Sequence, residues 1–165
     1  MIWWLIFMAL SGASVAGRIL FVPAEYRSNY KRCRKDAEFW LVAALSFSIW
    51  IVAAIQSFVA PGSFPVVARI IGTVLLAVGS VLHIWAHRVN SCFVPAIIYI
   101  PPDLRVKDGP YRFCSHPGYF GFILSACGDA GLLGQWWAVF PMIAYVMLIV
   151  RRGIIENRIL SGKLQ

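Results

Sequence analysis

The chain has 165 residues, enough for one domain. Apolar side chains make up 60% of it against 13% charged, and mean hydropathy is +0.74. That excludes an ordinary water-soluble core and predicts an all-α, polytopic integral membrane protein. The net charge of +8 lies in loops between apolar runs. This placement speaks for basic loops beside anionic membrane lipid and against nucleic acid.

In chain order, residues 2–22 form a first apolar helix with Arg18 near its end, where a long stem reaches the interface. Ser14-Val15-Ala16 has the small residues of a signal-peptide cleavage site. No Lys or Arg precedes the apolar run, however, so a retained helix is expected. Residues 25–38 carry Arg27, Lys31, Arg32, Arg34 and Lys35 and read as a basic surface loop, helical in part. A second helix covers 39–60 without a charge. Pro61-Gly62-Ser63-Phe64-Pro65 leaves room only for an antiparallel hairpin.

The third helix runs from 66 to about 89. Gly72 and Gly79, with Ala68, Ala77 and Ser80, supply small residues for close helix packing. His83 and His87 stand at i and i+4 near its end. A metal would need a third ligand, and none is evident nearby, so a polar helix edge facing the site is expected and no metal. Cys33, Cys92, Cys114 and Cys127 show no C-x-x-C spacing and read as ordinary thiols.

Residues 93–100 are apolar but too short to span, which predicts a re-entrant or surface-lying segment stopped by Pro101-Pro102. The fourth helix covers about 119–135, is rich in glycine and contains Asp129. An acid at membrane depth is a functional candidate, but Asp129 lies close to the far end, where exposure at the outer interface is an equal expectation. It is not assigned to catalysis. The fifth helix covers 136–150 and continues past the membrane to about 160, with a possible kink at Pro141. Trp136 and Trp137 suit the outer interface. With the N-terminus outside and the C-terminus cytoplasmic, nearly all of the fifteen Lys and Arg fall inside, Arg69 being the exception. Five transmembrane helices in one domain are expected.

Between the third and fourth helices lies VKDGPYRFCSHPGYFG, residues 106–121. It is polar, rich in turn residues, and concentrates Asp108, Tyr111, Arg112, Cys114, His116 and Tyr119. Gly109-Pro110-Tyr111-Arg112 and His116-Pro117-Gly118-Tyr119-Phe120-Gly121 resemble the signature of the isoprenylcysteine carboxyl methyltransferase family, integral membrane enzymes that use S-adenosylmethionine. Ser115 stands where the family usually has Arg before His-Pro. Arg152 and Glu156 match the family's Arg-x-x-x-Glu pattern, while Asn157 replaces a second acid that commonly follows. The resemblance covers roughly 68–160, and the polar, aromatic tail usual in the family is not found beyond it. Part of the site's floor is therefore expected to be missing or contributed differently.

The resemblance implies a cofactor-binding half over about 90–165. Asp103, Leu104, Arg105, Val106, Tyr111, His116, Pro117, Gly118, Tyr119 and Glu156 would form the S-adenosylmethionine cradle, and Arg152 would hold the carboxylate of a prenylated acceptor. Taken singly, these residues have plainer readings: Arg152 a topological anchor, Glu156 its solvated partner, His116 a turn residue, the tyrosines interfacial aromatics. Three other functions stay open at this point. They are methylation of a phospholipid amine or a thiol, a membrane reductase using NADPH in a related cradle, and a non-catalytic scaffold. The expected location is the endoplasmic reticulum membrane of a eukaryote or the inner membrane of a prokaryote.

Overall fold

A computed structural model describes residues 2–20, 31, 34–35, 38–60, 64–90, 97–99, 101 and 105–160. Among these, five long helices follow one another: α1 (Ile2–Leu20), α2 (Glu38–Val59), α3 (Val66–Val89), α4 (Pro117–Leu133) and α5 (Val139–Leu160). The apolar runs predict them to within two or three residues. Among the described residues three stretches are long and apolar enough to cross a membrane: Glu38–Val59, Val66–Val89 and Trp136–Ile159. The apolar part of α1, Ile2–Gly17, and the 17-residue α4 are shorter.

The helices distribute polarity as a bilayer requires. Leu5, Phe47, Ile51, Val74, Val78 and Met147 face outward and are exposed, whereas Gln56, His83, Asp129, Arg152 and Glu156 are buried between helices. Between them lies an apolar core that includes Ile49, Leu76, Leu132, Tyr145 and Ile149.

The closest helix pair is α3 with α4. A Cβ added to Gly79 would stand 2.6 Å from the Ser125 backbone nitrogen, so only glycine permits this approach. The sequence spacing of small residues on α3 is used here. At the end of the bundle away from Arg152, Gln56 Oε1 accepts a bond from the Trp137 amide at 2.7 Å, and Gln135 Nε2 donates to Ser57 Oγ at 3.1 Å. Arg69, the one basic residue expected at this end, lies with its guanidinium 5.6 Å over the Trp3 ring. Pro141 sits in the first turn of α5, where its missing N–H removes no bond within that helix.

Two short strands depart from the helical expectation. β1 (Arg34–Lys35) pairs antiparallel with β2 (Ile97–Tyr99). The apolar 97–99 run is therefore a strand, with β-branched and aromatic residues that favour extended backbone. The remainder of the proposed re-entrant segment and of the 25–38 loop, Lys31 and Glu38 aside, lies outside the described residues.

Candidate functional site

The end of the bundle formed by the N-termini of α2 and α4 and the C-termini of α3 and α5 gathers the chemistry. Along α5, Tyr145, Leu148, Ile149, Arg152 and Glu156 are all buried. That is an i, i+3, i+4, i+7, i+11 stripe, so Arg152 and Glu156 belong to the helix's inward face and not to its solvated one. The plain reading of Glu156 as a solvated partner fails on this point.

Arg152 is only 2% exposed. Its Nη1 donates to Glu38 Oε2 at 3.1 Å, and its Nη2 lies 3.7 Å from Glu156 Oε1. Arg151 Nη1 donates to the other Glu38 oxygen at 2.5 Å. One carboxylate at the start of α2 thus holds both arginines of α5. Such paired, hydrogen-bonded charges are the condition for burying a guanidinium at all.

Glu156 is held from the other side by α4. The Tyr119 hydroxyl donates to Glu156 Oε1 in a short bond. His116 occupies the position just before α4, and its Nδ1 stands 3.7 Å from Glu156 Oε2. The His116 Nε2 is 2.9 Å from Asn157 Oδ1, an oxygen that only accepts, which selects the tautomer with the proton on Nε2. Burial holds the His116 pKa below its ordinary value, although the Asn157 contact opposes this. The His116 and Tyr119 rings are stacked, with centroids 5.6 Å apart and planes 19° from parallel. Pro117 and Gly118, between them, are buried and start the helix.

The Gly-Pro-Tyr-Arg segment forms a 3-10 turn, Gly109–Arg112. Gly109 takes φ +57°, a conformation that other L-residues adopt at a cost. The Tyr111 hydroxyl accepts a bond from Asn90 Nδ2 at 2.9 Å, tying the turn to the end of α3. Burial pushes the Tyr111 phenol up to about 12.

Of the residues expected in the cradle, His116, Pro117, Gly118, Tyr119 and Glu156 come together with Arg152. Tyr111 adjoins them but turns its hydroxyl to Asn90. Arg105 is exposed and Val106 half-buried, and neither joins the cluster by a hydrogen bond or ion pair among the described residues. Asp103 and Leu104 lie outside the described residues. Glu38 was missed by sequence reasoning. Its signal was available: it is the acid that closes the basic 25–38 loop at the mouth of an uncharged helix.

His83 is buried, its ring 4.2 Å from that of Phe122, so it faces the α3–α4 interface. Among the described residues no three His, Cys, Asp or Glu stand together as a metal site.

The site's two arms, the His-Pro-Gly-Tyr turn and the Arg152/Glu156 face of α5, fall within one family match. The model of the isoprenylcysteine carboxyl methyltransferase (ICMT) family matches residues 65–161, more than half of the chain. The chain belongs to this family. No curated protein and no solved structure matches it significantly. Membership in the ICMT family makes it a membrane methyltransferase, in keeping with the three spanning-length helices. Glu38 lies before the matched segment, so the carboxylate on Arg152 is contributed by this chain's own α2.

Proposed function

We propose that this protein transfers a methyl group from S-adenosylmethionine to the carboxylate of a lipophilic acceptor, with a C-terminal prenylcysteine as the leading candidate. The observation that carries the reading is the buried Arg152, set beside a Glu156 to which Tyr119 of the family's signature turn donates, with the His116 ring next to it. On the count of Lys and Arg, this basic end of the bundle faces the cytoplasm.

The residues fit such a cofactor. Glu156 offers carboxylate oxygens to an ammonium or to ribose hydroxyls. The stacked His116 and Tyr119 rings offer π faces to a sulfonium. When bound, S-adenosylmethionine supplies an electrophilic methyl on sulfur.

The protein's own task is positional. A carboxylate acceptor is ionised near neutral pH, so it needs no general base. Arg152 holds one acceptor oxygen by a charge-assisted bond and turns the other toward the cofactor side of the site. Burial around Tyr119, Arg152 and Glu156 keeps water from competing. The acceptor's apolar tail stays with the outward, lipid-facing helix surfaces.

A second reading, methylation of an amine or thiol acceptor, is favoured by one observation: Arg152 already holds the Glu38 carboxylate. There His116, kept neutral by burial, serves as the proton acceptor.

Calorimetry with S-adenosylmethionine and with NADPH tests the cofactor. The expected result is binding of S-adenosylmethionine and none of NADPH; the reverse result replaces methyl transfer with reduction. Glu156→Ala should weaken cofactor binding strongly in a protein that remains folded. Arg152→Lys tests the acceptor. Cofactor affinity stays within a few-fold, while transfer to a prenylcysteine falls by about 10- to 100-fold because Lys lacks the planar fork. Full transfer by the Lys variant removes Arg152 from the substrate site.

A further inference from the structure

A second polar feature lies deeper in the bundle, apart from the Arg152 site. A cavity of about 90 Å³ opens where all five helices meet, walled by Ser11 of α1, Ser46 of α2, Ser80 of α3, Ser125 and Asp129 of α4 and Tyr145 of α5. Asp129 is 6% exposed, and its Oδ2 accepts a bond from the Trp50 indole at 2.9 Å. It is therefore a buried acid and not one exposed at an outer interface.

The serines set this cavity apart from ordinary helix surface. A hydroxyl inside a transmembrane helix usually satisfies itself on the carbonyl one turn back. Ser48 does so to Leu45 O at 2.7 Å, Ser57 to Ala53 O and Thr73 to Arg69 O at 2.8 Å each. The buried hydroxyls of Ser11, Ser80 and Ser125 do not, and have no hydrogen-bond partner among the described residues. Ser80 is itself only 8% exposed. Leaving several such groups unsatisfied at membrane depth costs about 1–3 kcal/mol each, so an occupant that uses them is expected.

The donor set defines the occupant. Among the described residues the lining offers hydroxyl and carboxylate oxygens, one acid, and no Lys, Arg or His. Hard oxygen ligands with a single formal negative charge suit a small monovalent cation, with a water or two in the remaining volume. Divalent ions ordinarily collect more carboxylates. We propose that this five-helix cavity is a binding site for a small monovalent cation of sodium type, held by Asp129 and the Ser11, Ser80 and Ser125 hydroxyls. Because each helix contributes to the wall, an ion there clamps the whole bundle.

The test is thermal unfolding of the full chain in detergent while sodium chloride replaces choline chloride at constant total salt. The unfolding temperature rises with sodium and saturates, by roughly 5–10 °C at a hundredfold excess over half-saturation. Asp129→Asn and the double variant Ser80→Ala/Ser125→Ala lose that rise. Should Asp129→Asn fail to fold, the double serine variant, which keeps the Asp129–Trp50 bond, decides alone. Equal unfolding temperatures in sodium and choline overturn the proposal and leave the cavity to water. A rise that persists in the double serine variant also overturns it, by placing the ion elsewhere.

Discussion

Arg152 of α5 and Glu38 of α2 lie 114 residues apart in sequence and 3.1 Å apart in space. Through this contact the second helix, which precedes the family-matched segment, reaches into the candidate site. The Arg152 side chain is 3% exposed and donates to Glu38 at hydrogen-bond distance, while Glu156 stands farther off at 3.7 Å.

Glu38→Gln should therefore lower stability by about 1–3 kcal/mol, the range for a charged hydrogen-bond partner removed from a largely buried ion. Thermal unfolding in detergent reads this. The same variant should bind an anionic acceptor more tightly, because the acceptor no longer competes with Glu38 for Arg152. An unchanged KM for a carboxylate acceptor would separate Glu38 from substrate binding.

Tyr119→Phe removes the hydroxyl that donates to Glu156 and leaves the ring stack with His116 intact. Cofactor affinity should drop about 10- to 100-fold, corresponding to about 1.5–3 kcal/mol for a bond to a charged acceptor. Titration calorimetry gives the number directly. Loss of less than twofold would mean that the Tyr119–Glu156 bond has no part in holding the cofactor.

His116 has a folded-state pKa below its ordinary value near 6.5, chiefly through burial. The unfolded chain then takes up the proton first as pH falls. Stability is complete above about pH 7 and declines as pH drops from about 6.5 toward the lower folded value. His116→Gln should flatten the unfolding temperature over pH 5–7 relative to the wild type. Identical slopes for the two proteins would contradict it.

Gly79→Ala should separate α3 from α4, because its Cβ would meet the Ser125 backbone at 2.6 Å and backbone cannot swing aside. A loss of about 1–3 kcal/mol is expected. Gly12→Ala is the control: a Cβ there meets nothing within 4 Å, so helix propensity alone should leave stability unchanged or raised by up to about 1 kcal/mol. Equal behaviour of the two variants in thermal unfolding would refute the close-packing account.

Five helices, their turns and the signature residues of the site were legible in the sequence because each is a local property. An apolar run of the right length implies a helix, Pro and Gly imply its ends, and His116 through Tyr119 lie within one turn of one another however the chain folds. The i, i+4 spacing of Arg152 and Glu156 was equally local. Which way each helix faces is not. Hydropathy set the depth of Asp129 but not its rotation, and only packing against α2 put its oxygen 2.9 Å from Trp50. Likewise Glu38 read as a loop's last acid until antiparallel packing of α2 on α5 brought it to Arg151 and Arg152. The β1–β2 pairing arose in the same way, from two segments more than sixty residues apart whose extended backbones become neighbours only once the helices are assembled. Rotation, tilt and neighbour choice follow from side-chain fit across whole helix faces, and Gly79 against Ser125 shows how a single missing Cβ decides them.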